Sequence, residues 1–268
     1  MKTFILIDTS YAIFYRFFAT KMWYKFAYPE EENGDDYDWM VNTVFKDMFE
    51  KKFYDSFHYC INKFNISSDN IIMVRDCPRA DIWRNVCKKN YKSTRPHFNG
   101  GDFFKFTYNE ILPNLLNEKK IKHVLKQDNM EADDVIALAK KHLQEKYEGC
   151  KIIIISSDHD LLQLIDNNTE IYSLKKKCIN DKSTGDKYTD LHLKILCGDK
   201  SDNIDGCIPK CGPKTAMKLI NDRDKLREKL LDPDIFKKYI ENSLIIDFNN
   251  IPEYFQNTCN EYLKSKNL

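Results

Sequence analysis

The chain of 268 residues carries 42 Lys+Arg against 41 Asp+Glu, a formal net charge of +1, with 42% hydrophobic residues and a mean hydropathy of −0.58. That is enough apolar material for one large domain or two small ones, and 8 Gly with 8 Pro exclude collagen-like or long flexible-linker compositions. No apolar run approaches a membrane span and MKTFILIDTS lacks a cleavable leader pattern, so an intracellular chain without a membrane partner is expected.

The nine Cys are odd in number, scattered and free of any C-x-x-C pair, which reads as reduced thiols of a cytoplasm, nucleus or virus-infected cell. Cys207, Cys211 and nearby His192 do not make a zinc site, because four ligands at zinc spacing are missing. A net charge near zero argues against a whole-surface polyanion binder and leaves room for a local basic patch.

In chain order, the first strand is expected at Phe4 to Ile7, followed by a helix over Trp39 to Phe64 and a second strand at Ile71 to Val74. Lys88 to Tyr108 fits neither period: it is basic at first, then broken by Pro96 and Gly100-Gly101, and reads as an excursion above the sheet. A strand at Lys122 to Leu125 leads into a helix over Glu131 to Lys146, with Val135, Ile136, Leu138, Ala139 and Leu143 on its apolar face. Lys151 to Ile155 is the next strand and Glu170 to Leu174 a weaker fifth. After about residue 190 strands stop, and short helices with Gly/Pro breaks run to Pro252. The expected fold is α/β, a central mainly parallel sheet flanked by helices over 1–190, with a helical subdomain over 191–268.

In open parallel sheets ligands bind at the carboxyl ends of strands. Asp8, Asp76 and Asp158 each follow a strand within three residues of its last apolar position. Glu131-Ala-Asp133-Asp134 opens a helix, where the dipole tolerates negative charge, and Glu131 and Asp134 share a face. Asp158-His-Asp160 and Asp199-Lys-Ser-Asp202 complete the set. Singly these residues read as helix caps or turn residues. Nine acids around one sheet edge would repel severely unless something positive were bound. Hard oxygen ligands without His or Cys suit Mg²⁺, with Mn²⁺ as a substitute. A wide cluster suits two ions about 4 Å apart, the arrangement of metal-dependent phosphodiester hydrolysis.

Trp83-Arg84, Tyr91-Lys92 and Arg95 put cations and aromatics just after the Asp76 strand, a combination that holds phosphate and stacks an unpaired base. Lys88 and Lys89 add charge to the same stretch. Gly206, Lys210, Gly212, Lys214, Thr215 and Lys218 surround a tight turn opening a helix, whose backbone N–H groups suit a phosphate oxygen.

Together FILIDTS, the strand ending in Asp76, WRNVCKKNYKSTRP, MEADDVIALAKKH, IIIISSDHDLLQLI, ILCGDKSDNIDG and GPKTAMKLI resemble, in order, the 5′-nucleases of the flap-endonuclease group, which includes the 5′-nuclease domains of bacterial DNA polymerase I. The tail YIENSLIIDFNNIPEYF is similar to that of the T-even phage ribonuclease H branch of that family. The resemblance implies that Asp8, Asp76, Glu131, Asp133 and Asp134 surround one metal and Asp158, Asp160, Asp199 and Asp202 a second. It implies that Lys92 contacts the scissile phosphate, Arg84 and Arg95 steer the 5′ strand, and Tyr91 stacks on a base beside the cut. An arch over about residues 84–110, ordering only on substrate, and a helix-hairpin-helix-like element over Gly206 to Ile220 are implied too.

The implied activity is a Mg²⁺-dependent 5′-3′ exonuclease and flap endonuclease on DNA with 5′ flaps, nicks or ends and on RNA-DNA primer hybrids, working as a monomer in replication and repair. The chain departs from the family where Lys210-Cys211-Gly212 replaces Gly-apolar-Gly, and it shows no sliding-clamp peptide. A PIN-type ribonuclease, the first alternative, normally lacks the Asp199/Asp202 segment and the GPKTA helix; a non-catalytic DNA-binding relative, the second, would have lost acids that are all present.

Overall fold

The computed structural model describes residues 2–31, 33–34, 36–96 and 98–268. β1 (Thr3–Asp8) is central, with β2 (Ile71–Arg75) and then β3 (His123–Lys126) on one side, and β4 (Lys151–Ile155) and then β5 (Thr169–Tyr172) on the other. All neighbours are parallel, in a register that sets Ile5 beside both Ile71 and Ile153.

The chain leaves β1 through α1 (Thr9–Ala27) and α2 (Thr43–Phe64). The sequence pattern does not mark α1: Phe14, Phe18, Met22 and Phe26 form an exposed apolar row opposite the buried Ile13, Phe17 and Tyr24, so the helical period is blurred. α2 starts four residues later than Trp39, because Asn42 caps it by accepting from Phe45 N at 2.9 Å.

Beyond β2 come α3 (Arg84–Cys87), α4 (Gly101–Phe106) and, after a π-type turn at Thr107–Ile111, α5 (Leu112–Asn117). This is where an excursion was expected, and the structure corrects it. Phe103 is 1% exposed and Phe106 4%, both packed in one core with Phe17, Phe45 and Phe49, and Phe98 sits 5.0 Å from the Phe17 ring. Burying rings of this size is worth about 1.5–3 kcal/mol each, which holds Phe103 and Phe106 against α1 and α2 rather than above the sheet. His97 lies outside the described residues.

α6 (Ala132–Lys146) connects β3 to β4. α7 (Lys187–Cys197) then leads to a two-residue antiparallel pair, β6 (Gly198–Asp199) with β7 (Ile204–Asp205), where no further strand was expected. Gly198 makes this pairing possible. Its φ is +72° and a Cβ there would lie 2.3 Å from the Ile204 carbonyl oxygen. α8 (Pro213–Asn221), α9 (Arg223–Leu230), α10 (Pro233–Ile246) and α11 (Glu253–Ser265) follow.

The sheet separates two cores: Phe4, Leu6, Ile72, Val74, Ile152 and Ile154 face α6, while Ile5, Ile7, Ile71, Met73, Ile153 and Ile155 face α1 and α2. Both faces are covered, which is why the strands read as unbroken apolar runs. Residue 190, the expected boundary, falls inside α7, and α11 returns to pack Cys259 and Leu263 into the α6 core. Among the described residues no helix is long and apolar enough to cross a membrane.

Candidate active site

The chain lays β2 and β3 on one side of β1, then crosses through α6 to lay β4 and β5 on the other, and this reversal beside β1 opens a crevice beyond the carboxyl ends of β1, β2 and β4. A cleft of ≈ 860 Å³ lies there, with Asp8, Asp76, Glu131, Asp133, Asp158 and Asp199 in its wall. Asp8 ends β1 and caps α1, accepting from Tyr11 N at 3.0 Å and from Ser156 Oγ at 3.0 Å. Asp76 accepts from Ala132 N at 2.7 Å, at the amino end of α6, and from Ser10 Oγ. Asp158 accepts from Asp160 N at 2.9 Å. Asp133 accepts no hydrogen bond from a side chain or backbone group among the described residues, although it lines the same cleft.

Ion pairs sort the nine expected acids into two groups. Arg84 pairs with Asp134 at 2.7 Å and Glu131 at 3.0 Å, Lys92 with Glu131 at 2.5 Å and Asp202 at 3.6 Å, and Arg95 with Asp202 at 2.5 Å. Lys194 bridges Asp160 and Asp199, reaching the latter at 2.7 Å. Asp8, Asp76, Asp133 and Asp158 have no cationic partner among the described residues.

The electrostatics follow this partition only in part, since burial and the Asp158 charge push Asp160 up to about 7 despite its Lys194 partner. Burial, then the Asp76 charge, pushes Asp8 up to about 7. Burial and the charges of Asp158 and Asp8 hold Asp133 well above the usual carboxylate range. Burial alone would raise Asp199, yet hydrogen bonds from Lys194 and Ser201 keep it at about 2. For Lys92, burial favours the neutral amine, but Glu131, Tyr91 and Asp202 outweigh it and the pKa rises well above the ordinary lysine value. Four hard-oxygen side chains crowded without a counter-charge suit a divalent cation, and the chemistry of the donors suits Mg²⁺ or Mn²⁺ over softer metals. The carboxylate oxygens of Asp160, Asp199 and Asp202 form a second group, within 4.8 Å of one another.

Several expected roles change. Asp134 is fully buried and turned away from the cleft: it accepts two Arg84 donors, Trp83 Nε1 at 3.0 Å and Glu131 N at 3.2 Å, closing a capping box with Glu131. It is a structural carboxylate and not a metal ligand. Arg84, 3% exposed, spends its remaining Nε donor on the Ile245 carbonyl at 2.8 Å, so it tethers α10 and cannot steer a DNA strand. Tyr91 is buried with its hydroxyl donating to Glu131 at 2.9 Å, which leaves no ring face for a base. Asp158 was expected with Asp160, Asp199 and Asp202; it lies outside their close group and acts on Asp8 and Asp133 as well as on Asp160.

Lys92 holds a left-handed backbone (φ +54°) with its N–H on the Asp202 carbonyl at 3.1 Å, which aims the ammonium at the carboxylates. Arg95 keeps a 44% exposed side chain at the cleft wall.

Lys88, Lys89, Lys210, Lys214 and Lys218 enter no ion pair among the described residues. Gly212 caps α8 and Pro213 takes its first position, while Ala216, Leu219 and Ile220 bury the inner face and leave Lys214, Thr215 and Lys218 exposed. Lys210 adopts the left-handed conformation (φ +59°) that a glycine would fill without cost. Gly206 lies against the Cys197 carbonyl, where a Cβ would come within 2.9 Å. Lys194, Ser10 and Ser156 went unrecognised in the sequence. For Lys194 the available signal was a lone cation in the apolar run Leu191 to Cys197.

Residues 3–189 match the family model described as 5′-3′ exonuclease, N-terminal resolvase-like domain. A 5′-3′ exonuclease of Buchnera aphidicola from Schizaphis graminum is 34% identical over 168 residues, 60% of this chain and 55% of the relative, so the match spans about half that protein's length. Ribonuclease H of Enterobacteria phage T4 is 28% identical over 240 residues, 79% of this chain and 77% of the relative. Two solved structures of the phage T5 D15 protein share the fold over 99% of both chains at 13% identity: one co-crystallised with metal ions (TM-score 0.69), the other described as a flap endonuclease pseudo-enzyme-product complex with DNA and metal ions (TM-score 0.66). With the family model covering most of its length and the acids gathered where that fold opens, the chain belongs to the 5′-3′ exonuclease family.

Proposed function

We propose that this protein is a divalent-metal-dependent 5′-3′ exonuclease and flap endonuclease, hydrolysing phosphodiester bonds in DNA with 5′ flaps, nicks or ends and in RNA primers annealed to DNA. The observation that carries this reading is the set of four carboxylates, Asp8, Asp76, Asp133 and Asp158, which face one cleft without a cation while Lys92 and Arg95 stand at its wall. Asp8, Asp76, Asp133 and Asp158 would hold one Mg²⁺, bordered by Glu131, whose Oε1 is held by Lys92 and Oε2 by Arg84 and Tyr91, and Asp160, Asp199 and Asp202 a second. Such ions supply activation of water and stabilisation of the departing oxygen.

The remaining work falls to the chain's own groups. Lys92 and Arg95 draw the scissile phosphate over the acids and offset the charge that develops on it. Phe14, Phe104 and Tyr108 give the cleft an apolar, aromatic side on which bases can stack irrespective of identity. Lys210, Lys214 and Lys218, with the α8 amino end, grip duplex backbone.

The test is cleavage of a 5′-labelled DNA flap and of an RNA primer on DNA, with Mg²⁺, with EDTA, and with the Asp8→Asn/Asp158→Asn variant. Cutting is expected only in the first condition, with a drop of about 10³-fold or more in the variant, of the size seen when a preorganised electrostatic group is lost. Undiminished cutting in EDTA or by the variant sinks the proposal, and preference for an RNA hairpin over the DNA flap supports a ribonuclease instead.

A further inference from the structure

We infer that the second divalent ion binds this protein only in exchange for the Lys194 ammonium, so that the resting enzyme has one open metal site and one closed by its own side chain. The inference rests on the metal-dependent reading above and concerns how its second site is filled. The carboxylate oxygens of Asp160, Asp199 and Asp202 approach within 4.8 Å of one another. Each residue already has a cationic contact: Lys194 lies on both Asp160 and Asp199, and Arg95 and Lys92 lie on Asp202.

The first group offers a contrast, since Asp8, Asp76, Asp133 and Asp158 have no such partner among the described residues. An ion arriving there has no ion pair to break first. An ion arriving at the second group must break the Lys194 contacts first, so part of its binding free energy is spent on exchange. Lys194 is built for that movement. It projects from α7 on a flexible four-carbon stem, its side chain is 21% exposed, and it lines the cleft, so the displaced ammonium swings toward the space a phosphate would fill. Bound phosphate and the second ion then assist one another, and by linkage each tightens the other by the same factor.

The experiment is a Mn²⁺ titration of the full chain without nucleic acid, following free Mn²⁺ by electron paramagnetic resonance. Wild type should show one site and a second about 10-fold or more weaker. Lys194→Met should tighten the weak site about 10-fold, close to 1.4 kcal/mol, with the strong site changed less than about 3-fold, and Lys194→Arg should resemble wild type. A weak site unmoved by Lys194→Met overturns the inference while leaving the metal reading intact. Absence of Mn²⁺ binding by every protein overturns both. Lys194→Gln, which keeps a hydrogen-bond donor for Asp199 and loses the charge, gives the same comparison if the Met variant folds poorly. Its urea midpoint should fall in EDTA and recover with Mn²⁺ more than that of wild type, and equal recovery counts against the exchange.

Discussion

Arg84→Met removes a guanidinium whose donors reach Asp134 twice at 2.7 Å, Glu131 at 3.0 Å and the Ile245 carbonyl at 2.8 Å. Methionine fills much of the volume, but Asp134 stays fully buried and keeps only Trp83 Nε1 and the Glu131 N–H. Breaking one side of a buried ion pair costs about 3–5 kcal/mol, a large part of the 5–15 kcal/mol that holds a typical domain together. At roughly 2–4 °C per kcal/mol for a chain of this size, the melting temperature should fall on the order of 10 °C. Urea denaturation followed by tryptophan fluorescence reads the loss, since Trp83 sits beside the pair. Adding Asp134→Leu should recover at least about 2 kcal/mol, because the stranded carboxylate is then gone. A stability loss under about 1 kcal/mol, or no recovery in the double variant, refutes the structural role. A phosphate-binding Arg84 would instead leave stability unchanged and lower the slope of log affinity against log salt by about 1.

Three other outcomes are expected. In EDTA, folded Asp8 and Asp160, both raised to about 7 with burial as the first cause, keep protons that the unfolded chain loses near pH 4; stability should therefore fall as pH climbs from about 4 to 7, and saturating Mg²⁺ should flatten that fall in urea titrations at stepped pH. Asp166 goes the other way: burial alone would raise it, but hydrogen bonds from Lys140, Thr169 and Gln144 hold it at about 2, so its contribution is present above about pH 4 and lost as pH drops toward 2, and Asp166→Asn should cost about 1–2 kcal/mol at pH 7 and almost nothing at pH 2. Lys210→Gly relieves a left-handed lysine and should leave stability unchanged or raised by up to about 1 kcal/mol by differential scanning, while lowering the salt slope of duplex binding by about 1; a clear loss of stability would show that the turn needs the lysine itself.

The strands were legible because Ile and Val runs buried on both faces leave little choice, and because an acid or a turn follows each. α1 was not, since its exposed phenylalanines hide the period that marks a surface helix. The acids were legible as a cluster and not as individuals. Spacing along Glu131-Ala-Asp133-Asp134 correctly puts Glu131 and Asp134 on one face. Whether that face meets the cleft or the interior depends on Arg84, 50 residues away in sequence, whose position only the packed structure supplies. The same holds for Tyr91: an aromatic next to a lysine reads as a stacking platform until the structure turns its hydroxyl onto Glu131. Lys194 stayed unread for the complementary reason, its partners being brought to it by β6 and the segment after β4.

Asp8 has a consequence for how such an enzyme is taken apart. Its carboxylate starts α1 by holding the Tyr11 N–H, and Asp76 in the same way holds the first N–H of α6. An alanine scan of these positions therefore unravels helix starts while it empties the cleft, at about 0.5–2 kcal/mol per lost cap, and cannot tell a dead catalyst from a loosened scaffold. Asparagine caps as well as aspartate but carries no charge, so Asp→Asn is the substitution through which chemistry and architecture come apart.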